Sequence, residues 1–159
     1  MIAMNSAETM LWQRVRDVYD FVDAAVAGAS PRCDASGRCC RFTEYGHILF
    51  LSHFEAELLL ATAPPYTKPV GRDCCPFQVE GLCTARQERP LGCRIYFCDP
   101  NYAGVGEAIT EEALRRLKQI ADDFQTCWRY APLHEFLNEA KRGNPTTEKR
   151  VRRIRLPLL

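Results

Sequence analysis

The chain has 159 residues, nine cysteines and a formal net charge of +1. That length suits one compact domain that buries roughly 70% of its unfolded surface, so cross-links are not needed merely to fold. An odd cysteine count excludes complete internal pairing. No basic N-terminal segment leads into an apolar run, and the longest apolar runs, Ile48–Leu51 and Leu58–Ala61, are far too short to span a bilayer. The expected setting is therefore a reducing cytoplasm, with soluble protein and no membrane partner.

Residues 7–27 read as an amphipathic helix: Leu11, Val15, Val18, Val22 and Val26 recur at helical spacing, and Gly28 and Pro31 stop it. A cysteine-bearing loop runs to Arg41, and residues 46–51 suggest a short strand around Ile48–Leu51. Ser52-His53-Phe54-Glu55 is a capping box for a helix over 53–62, which Pro64-Pro65 ends. Residues 66–106 lack helical period and hold five cysteines, five glycines and four prolines. Within them, Phe77-Gln78-Val79 and Leu82-Cys83-Thr84, joined by Glu80-Gly81, predict a small hairpin. Thr110 is the expected cap of a second strong helix, with Leu114, Leu117, Ala121, Phe124 and Trp128 on its apolar face. Pro132 opens a last helix that ends at Gly143. The expected fold is α+β and mostly helical, a helical frame around an irregular, cysteine-rich core with short strands. It forms one metal-binding domain over 1–143, followed by a tail over 144–159. Lys141, Arg142, Lys149, Arg150, Arg152, Arg153 and Arg155 stand against the single acid Glu148, so this end is basic and the rest net acidic.

Apart from Cys127, which falls on the expected helix, the cysteines sit in loops. Buried structural cysteines would instead scatter over periodic apolar faces. Thiolates are soft ligands suited to zinc and iron–sulfur clusters, and Cys75-Pro76, Gly81-Leu82-Cys83 and Gly92-Cys93 place them at stiff or permissive backbone. Spacing alone is not decisive. There is no Cys-x-x-Cys pair, and Cys93-x4-Cys98 matches only one interval of a plant-type ferredoxin. Adjacent side chains tend to point apart, so Cys39-Cys40 and Cys74-Cys75 are each expected to serve two sites or to give one ligand.

Cys33-x2-Ser36-x2-Cys39-Cys40 resembles the opening motif of the CxxCxxCC cysteine-cluster family, the YkgJ-like proteins, described as zinc- or iron-chelating. The resemblance continues through Cys75-Pro76-Phe77, Gly81-Leu82-Cys83, Arg89-Pro90-Leu91-Gly92-Cys93-Arg94, Tyr96-Phe97 and Cys127-x-Arg129, and so covers residues 33–129. It departs at Ser36, where the family has its second cysteine and where a hydroxyl is a poor soft-metal ligand. The resemblance implies metal held by Cys33, Cys39, Cys40, Cys75, Cys83, Cys93 and Cys127, in one or two sites; Cys98, extra to the family's pattern, is the eighth candidate in place of the missing cysteine, with Cys74 in reserve.

Arg94 and Tyr96, beside Cys93, are candidates to donate hydrogen bonds to cluster sulfurs; loop packing is the alternative. Of His47, His53 and His134, His47 is the best additional ligand, against ordinary helix-end or surface placement for all three. No phosphate-binding glycine loop is present. The leading expectation is an iron–sulfur protein, a redox or electron-transfer accessory with a protein partner. The alternative is a zinc-stabilised interaction module whose basic tail meets a protein or nucleic acid. An enzyme with an open metal position is a third reading.

Overall fold

The structure is a computed structural model that describes residues 6–141. In chain order it contains α1 (Ser6–Ala29), a 3-10 turn (Arg38–Cys40), β1 (Phe50–Ser52), α2 (His53–Thr62), β2 (Gln78–Val79), β3 (Leu82–Cys83), α3 (Leu91–Ile95), a second 3-10 turn (Pro100–Tyr102), α4 (Ala103–Asp123), β4 (Tyr130–Pro132) and α5 (Leu133–Glu139). This is a mostly helical α+β fold. The predicted basic tail and the helix stop at Gly143 lie outside the described residues. No helix among the described residues is long and apolar enough to cross a membrane.

Two cores divide the molecule. In the first, Leu11, Val15, Val18 and Val22 of α1 meet Ile109, Ala113, Leu117 and Ile120 of α4, with Phe54, Leu91 and Ile95 completing the contact. Both helices follow the apolar stripe that their sequences carry. The second core joins Phe42, Leu49, Leu51, Leu59, Phe77, Leu133 and Leu137 to the buried Cys40 and Cys75. The buried cysteines are thus part of the second core, while Leu91 and Ile95 tie the same segment to the first.

The strands are short. β1 pairs antiparallel with β4, Phe50 opposite Pro132 and Ser52 opposite Tyr130. β2 and β3 form the predicted hairpin, with Gln78 opposite Cys83. Glu80 (φ 51°) and Gly81 (φ 79°) both lie in the left-handed region, as a two-residue type I′ turn requires.

The capping box at α2 forms as expected and does more than close a helix. Ser52 N and Oγ donate to Glu55 Oε2 at 2.7 and 2.8 Å, and Leu91 N donates to Glu55 Oε1 at 2.7 Å. One buried carboxylate therefore joins the start of α2 to the start of α3. Glu55→Ala is expected to destabilise the protein by about 3 kcal/mol, through a lost cap and buried amides left unpaired. Chemical denaturation measures this directly.

Several boundaries differ from the sequence reading. The strand begins at Phe50 rather than at 46, because residues 43–46 close a turn (Gly46 N to Thr43 O, 3.3 Å) and the short β4 gives the preceding residues no full ladder. α4 begins at Ala103, ahead of Thr110, whose hydroxyl donates back to Gly106 O at 2.8 Å within the helix. Asp99, which accepts from Asn101 N at 3.0 Å, and Pro100 open the 3-10 turn that leads into α4; the N-cap of α4 itself, Tyr102, makes no side-chain cap bond. α4 also stops at Asp123, and Gln125 (φ 53°) turns the chain, so Trp128 reaches the first core from a loop rather than from a helical face. α5 ends at Glu139. Helix α3 and strand β4 have no signature in the sequence, because five and three residues are too short to carry a period.

Candidate metal centre

Cys39, Cys40, Cys75, Cys83 and Cys93 line one cavity of about 30 Å³. They come from separate segments, each fixed by backbone hydrogen bonds. The first 3-10 turn carries Cys39 and Cys40. It starts from Gly37, whose left-handed φ of 70° and missing side chain matter: a Cβ there would lie 2.4 Å from Gln78 Nε2 and 2.9 Å from Gly81 O. Gln78 Nε2 donates to Gly37 O at 2.9 Å, so this turn is seated on the β2–β3 hairpin. Cys75 N donates to Cys40 O at 2.8 Å. Cys83 sits in β3, and Thr84, next to it, donates through N and Oγ1 to Phe77 O at 2.8 and 2.7 Å. Cys93 lies in the first turn of α3, which Glu55 holds through Leu91 N.

The walls are apolar, with Leu49, Leu59, Phe77 and Leu133, and Arg89 also lines the cavity. Thirty cubic ångströms exceeds the roughly 10–15 Å³ that one water needs. Among the described residues, no three Cys, His, Asp or Glu side chains already stand in ligand geometry. The thiols line the space without converging on one point. All nine cysteines are free.

The thiols perturb one another. Cys39 Sγ lies 3.9 Å from Cys40 Sγ. The hydrogen bond with Cys40 pushes the Cys39 thiol up, as does burial. At Cys40 the hydrogen bond from Cys39 lowers the value. A bond with Cys75, burial and the charges of Cys75 and Cys83 outweigh it, and Cys40 is pushed up to about 12. Burial, then the charges of Cys40, Cys39 and Cys83, raise Cys93. Three sulfurs thus act on a fourth, both at Cys93 and at Cys40. Arg89 opposes the rise at Cys39 and Cys93, which favours thiolate there.

A pH dependence follows for the metal-free protein. These thiols titrate above their ordinary value of 9.0 in the folded chain, and Cys40 near 12. Below 9.0 both folded and unfolded thiols are protonated, so stability is level. Above it the unfolded chain ionises first and gains on the folded one. Stability measured by denaturation in the presence of a chelator is expected to fall from about pH 9 towards 12.

The remaining candidates divide. Cys33, Cys74 and Cys127 are exposed, and Cys98 is partly buried. Cys127 lies in the loop after α4 because that helix stops early, not on the helix as expected. The two adjacent pairs behave differently. Cys39 and Cys40 line the same cavity, because a 3-10 turn brings neighbouring sulfurs together. Cys75 and Cys74 separate, and Cys74 lines a second, smaller cavity beside His134.

Arg94 braces α3 against α1. Its Nε donates to Arg89 O (2.8 Å), Nη1 pairs with Asp23 Oδ2 (2.6 Å), Nη2 donates to Gln87 O (3.1 Å), and its carbon lies 4.2 Å from the Tyr19 ring centroid. That is the packing role, and Arg89, two residues before Leu91 in the same motif, is the arginine at the cavity. Tyr96 has a sulfur neighbour: burial first, then the charge of Cys98 and a hydrogen bond with it, raise its phenol. His53 is buried and its Nδ1 accepts from Arg129 N at 3.3 Å, a place in the β1–β4 framework. No protein-family model matches the chain, and no curated protein or solved structure matches it significantly.

Proposed function

We propose that the chain is a thiolate metal protein, with an iron–sulfur cluster as its first-choice cofactor and a redox or electron-transfer accessory role. The observation that carries this reading is the meeting of five cysteines from four separate segments on one apolar cavity. Soft donors without competing carboxylates suit iron–sulfur and zinc and disfavour magnesium or calcium. When bound, a cluster would supply one-electron transfer. The protein's part is to hold the thiolates, exclude water with Leu49, Leu59, Phe77 and Leu133, and place the Arg89 charge beside an anionic centre. The resemblance to the CxxCxxCC family agrees with this reading, and free thiols fit a reducing cytoplasm.

The same donors support a second reading, a zinc-stabilised interaction module: four thiolates on one tetrahedral ion are a closed structural site. The partner in that case would be a protein or a nucleic acid met by the basic end of the chain. Anaerobic purification followed by metal and acid-labile sulfide analysis decides. Brown protein with iron and sulfide in similar amounts supports the cluster. Colourless protein with stoichiometric zinc and no sulfide rejects it and leaves the zinc module.

A further inference from the structure

The outward face of the β1–β4 ribbon is aromatic. Side chains alternate along a strand, and a solvent-facing strand surface is ordinarily polar. Here Leu49, Leu51 and Ala131 join the second core, while Ile48 (56% exposed), Phe50 (39%) and Tyr130 (41%) face solvent. Phe50 lies opposite Pro132 and Ser52 opposite Tyr130, so Phe50 and Tyr130 are diagonal neighbours across the ladder. Their rings stack with centroids 5.6 Å apart and planes 27° apart. Trp128, two residues before Tyr130, extends the row: its ring stacks on Tyr130 at 6.2 Å and 12°. The His53 ring meets Trp128 edge-on at 6.1 Å and braces that inner end. Three near-parallel rings therefore cross one face, and a contiguous exposed apolar patch of this kind marks an interaction site.

Charge names the partner. Lys118, exposed on α4, holds its Nζ 6.0 Å from the Trp128 ring centroid. The α5 acids Glu135 and Glu139 are paired with Arg129. β4 runs directly into α5, which is seven residues and about 10 Å long, and the exposed Lys141 follows two residues later. From Lys141 to Arg155 the sequence carries seven Lys/Arg against Glu148 alone. A row of exposed rings tethered by one short helix to a run of cations suits a chain whose bases stack while its phosphates meet positive charge.

We infer that Phe50, Tyr130 and Trp128 form a stacking surface for single-stranded nucleic acid, with Lys118 and the basic segment 141–155 meeting its phosphates. In a duplex the bases are stacked on one another and are not free to lie on protein rings, whereas a single strand presents them. Every base has a π-face, so little sequence preference is expected. The surface does not depend on which metal the cavity takes, and its failure would leave both metal readings standing.

The test is fluorescence anisotropy of full-length, anaerobically purified protein with labelled oligouridine, labelled oligothymidine and a labelled duplex, each of about 15 nucleotides per strand. Binding of a single strand and weaker binding of the duplex are expected; the stronger of the two single-strand arms identifies RNA or DNA. Phe50→Ala and Tyr130→Ala should each lower affinity about tenfold with an unchanged salt slope, and Tyr130→Phe should keep the parent's affinity. Replacing Arg150, Arg152 and Arg153 by Gln should instead flatten the slope of log affinity against log salt by about 0.7 per cation removed. Metal content and unfolding midpoint of the Ala variants are measured alongside and should match the parent, which separates loss of the surface from loss of the fold. No single-strand binding, duplex bound as tightly as single strand, or binding that the basic-segment variant loses and the Phe50 and Tyr130 variants keep, overturns the surface. So does self-association of the parent protein that Phe50→Ala abolishes, which would assign the face to a second copy.

Discussion

Replacing Cys83 by serine is expected to remove metal from the cavity while leaving the two-helix core folded. Structural thiolate sites bind zinc with apparent free energies of about 10–16 kcal/mol, or about 3 kcal/mol per ligand when spread over four. Loss of one thiolate therefore lowers affinity by at least about a hundredfold. Serine keeps the size of the side chain and a hydrogen-bonding group, so the β2–β3 ladder between Gln78 and Cys83 is retained. Cys93→Ser should behave alike, because Cys93 faces Cys40, Cys39 and Cys83. Cys74→Ser is the control: that thiol is exposed and lines a different cavity, so metal content should not change. Metal analysis of the purified variants, with circular dichroism for helix content, checks all three. Equal metal in the Cys83→Ser and parent proteins would remove the cavity from the account.

Metal removal should loosen one half of the molecule and spare the other. The cysteines belong to the second core, with Phe42, Leu51, Phe77 and Leu133, whereas α1 and α4 close the first without them. A ligand at a thousand times its dissociation constant stabilises by about 4 kcal/mol, and that stabilisation is expected to fall on the elements that supply the thiols. Phe77 is 2% exposed and belongs to this second core. In hydrogen exchange, the amides of Cys75, Thr84 and Cys93, all donors to backbone carbonyls, should lose protection on chelation, while those of α1 and α4 keep theirs. Identical exchange of Cys75, Thr84 and Cys93 in both forms would contradict the coupling.

The parts legible in the sequence were those with a local physical cause. The apolar stripe of α1, the capping box at Ser52 and Glu55, and the Glu80-Gly81 hairpin each depend on residues close in the chain. Long-range pairing was not legible. β4 exists because Tyr130–Pro132 finds β1, and α3 because Glu55 receives its first amide. Thr110 misled because Gly104 and Gly106 argue against a helix; Gly106 instead packs under Tyr102, where a Cβ would come within 2.9 Å of the ring. Arg94, a candidate donor beside Cys93 with loop packing as the alternative, pairs with Asp23 on α1, and Arg89 lines the cavity. Of the candidate ligands, Cys39, Cys40, Cys75, Cys83 and Cys93 are brought together on the cavity. His47 stands close to Cys40 in the sequence, whereas the burial of its Nδ1 without a hydrogen-bond partner among the described residues is a property of the fold.

X-ray absorption at the metal edge of anaerobically purified full-length protein tests the central claim most directly, because it reports the atoms around the metal whatever the metal is. The account predicts stoichiometric metal with a sulfur-dominated first shell at about 2.3 Å, lost in Cys83→Ser. A first shell dominated by oxygen and nitrogen, or protein that holds no metal in stoichiometric amount, would contradict it.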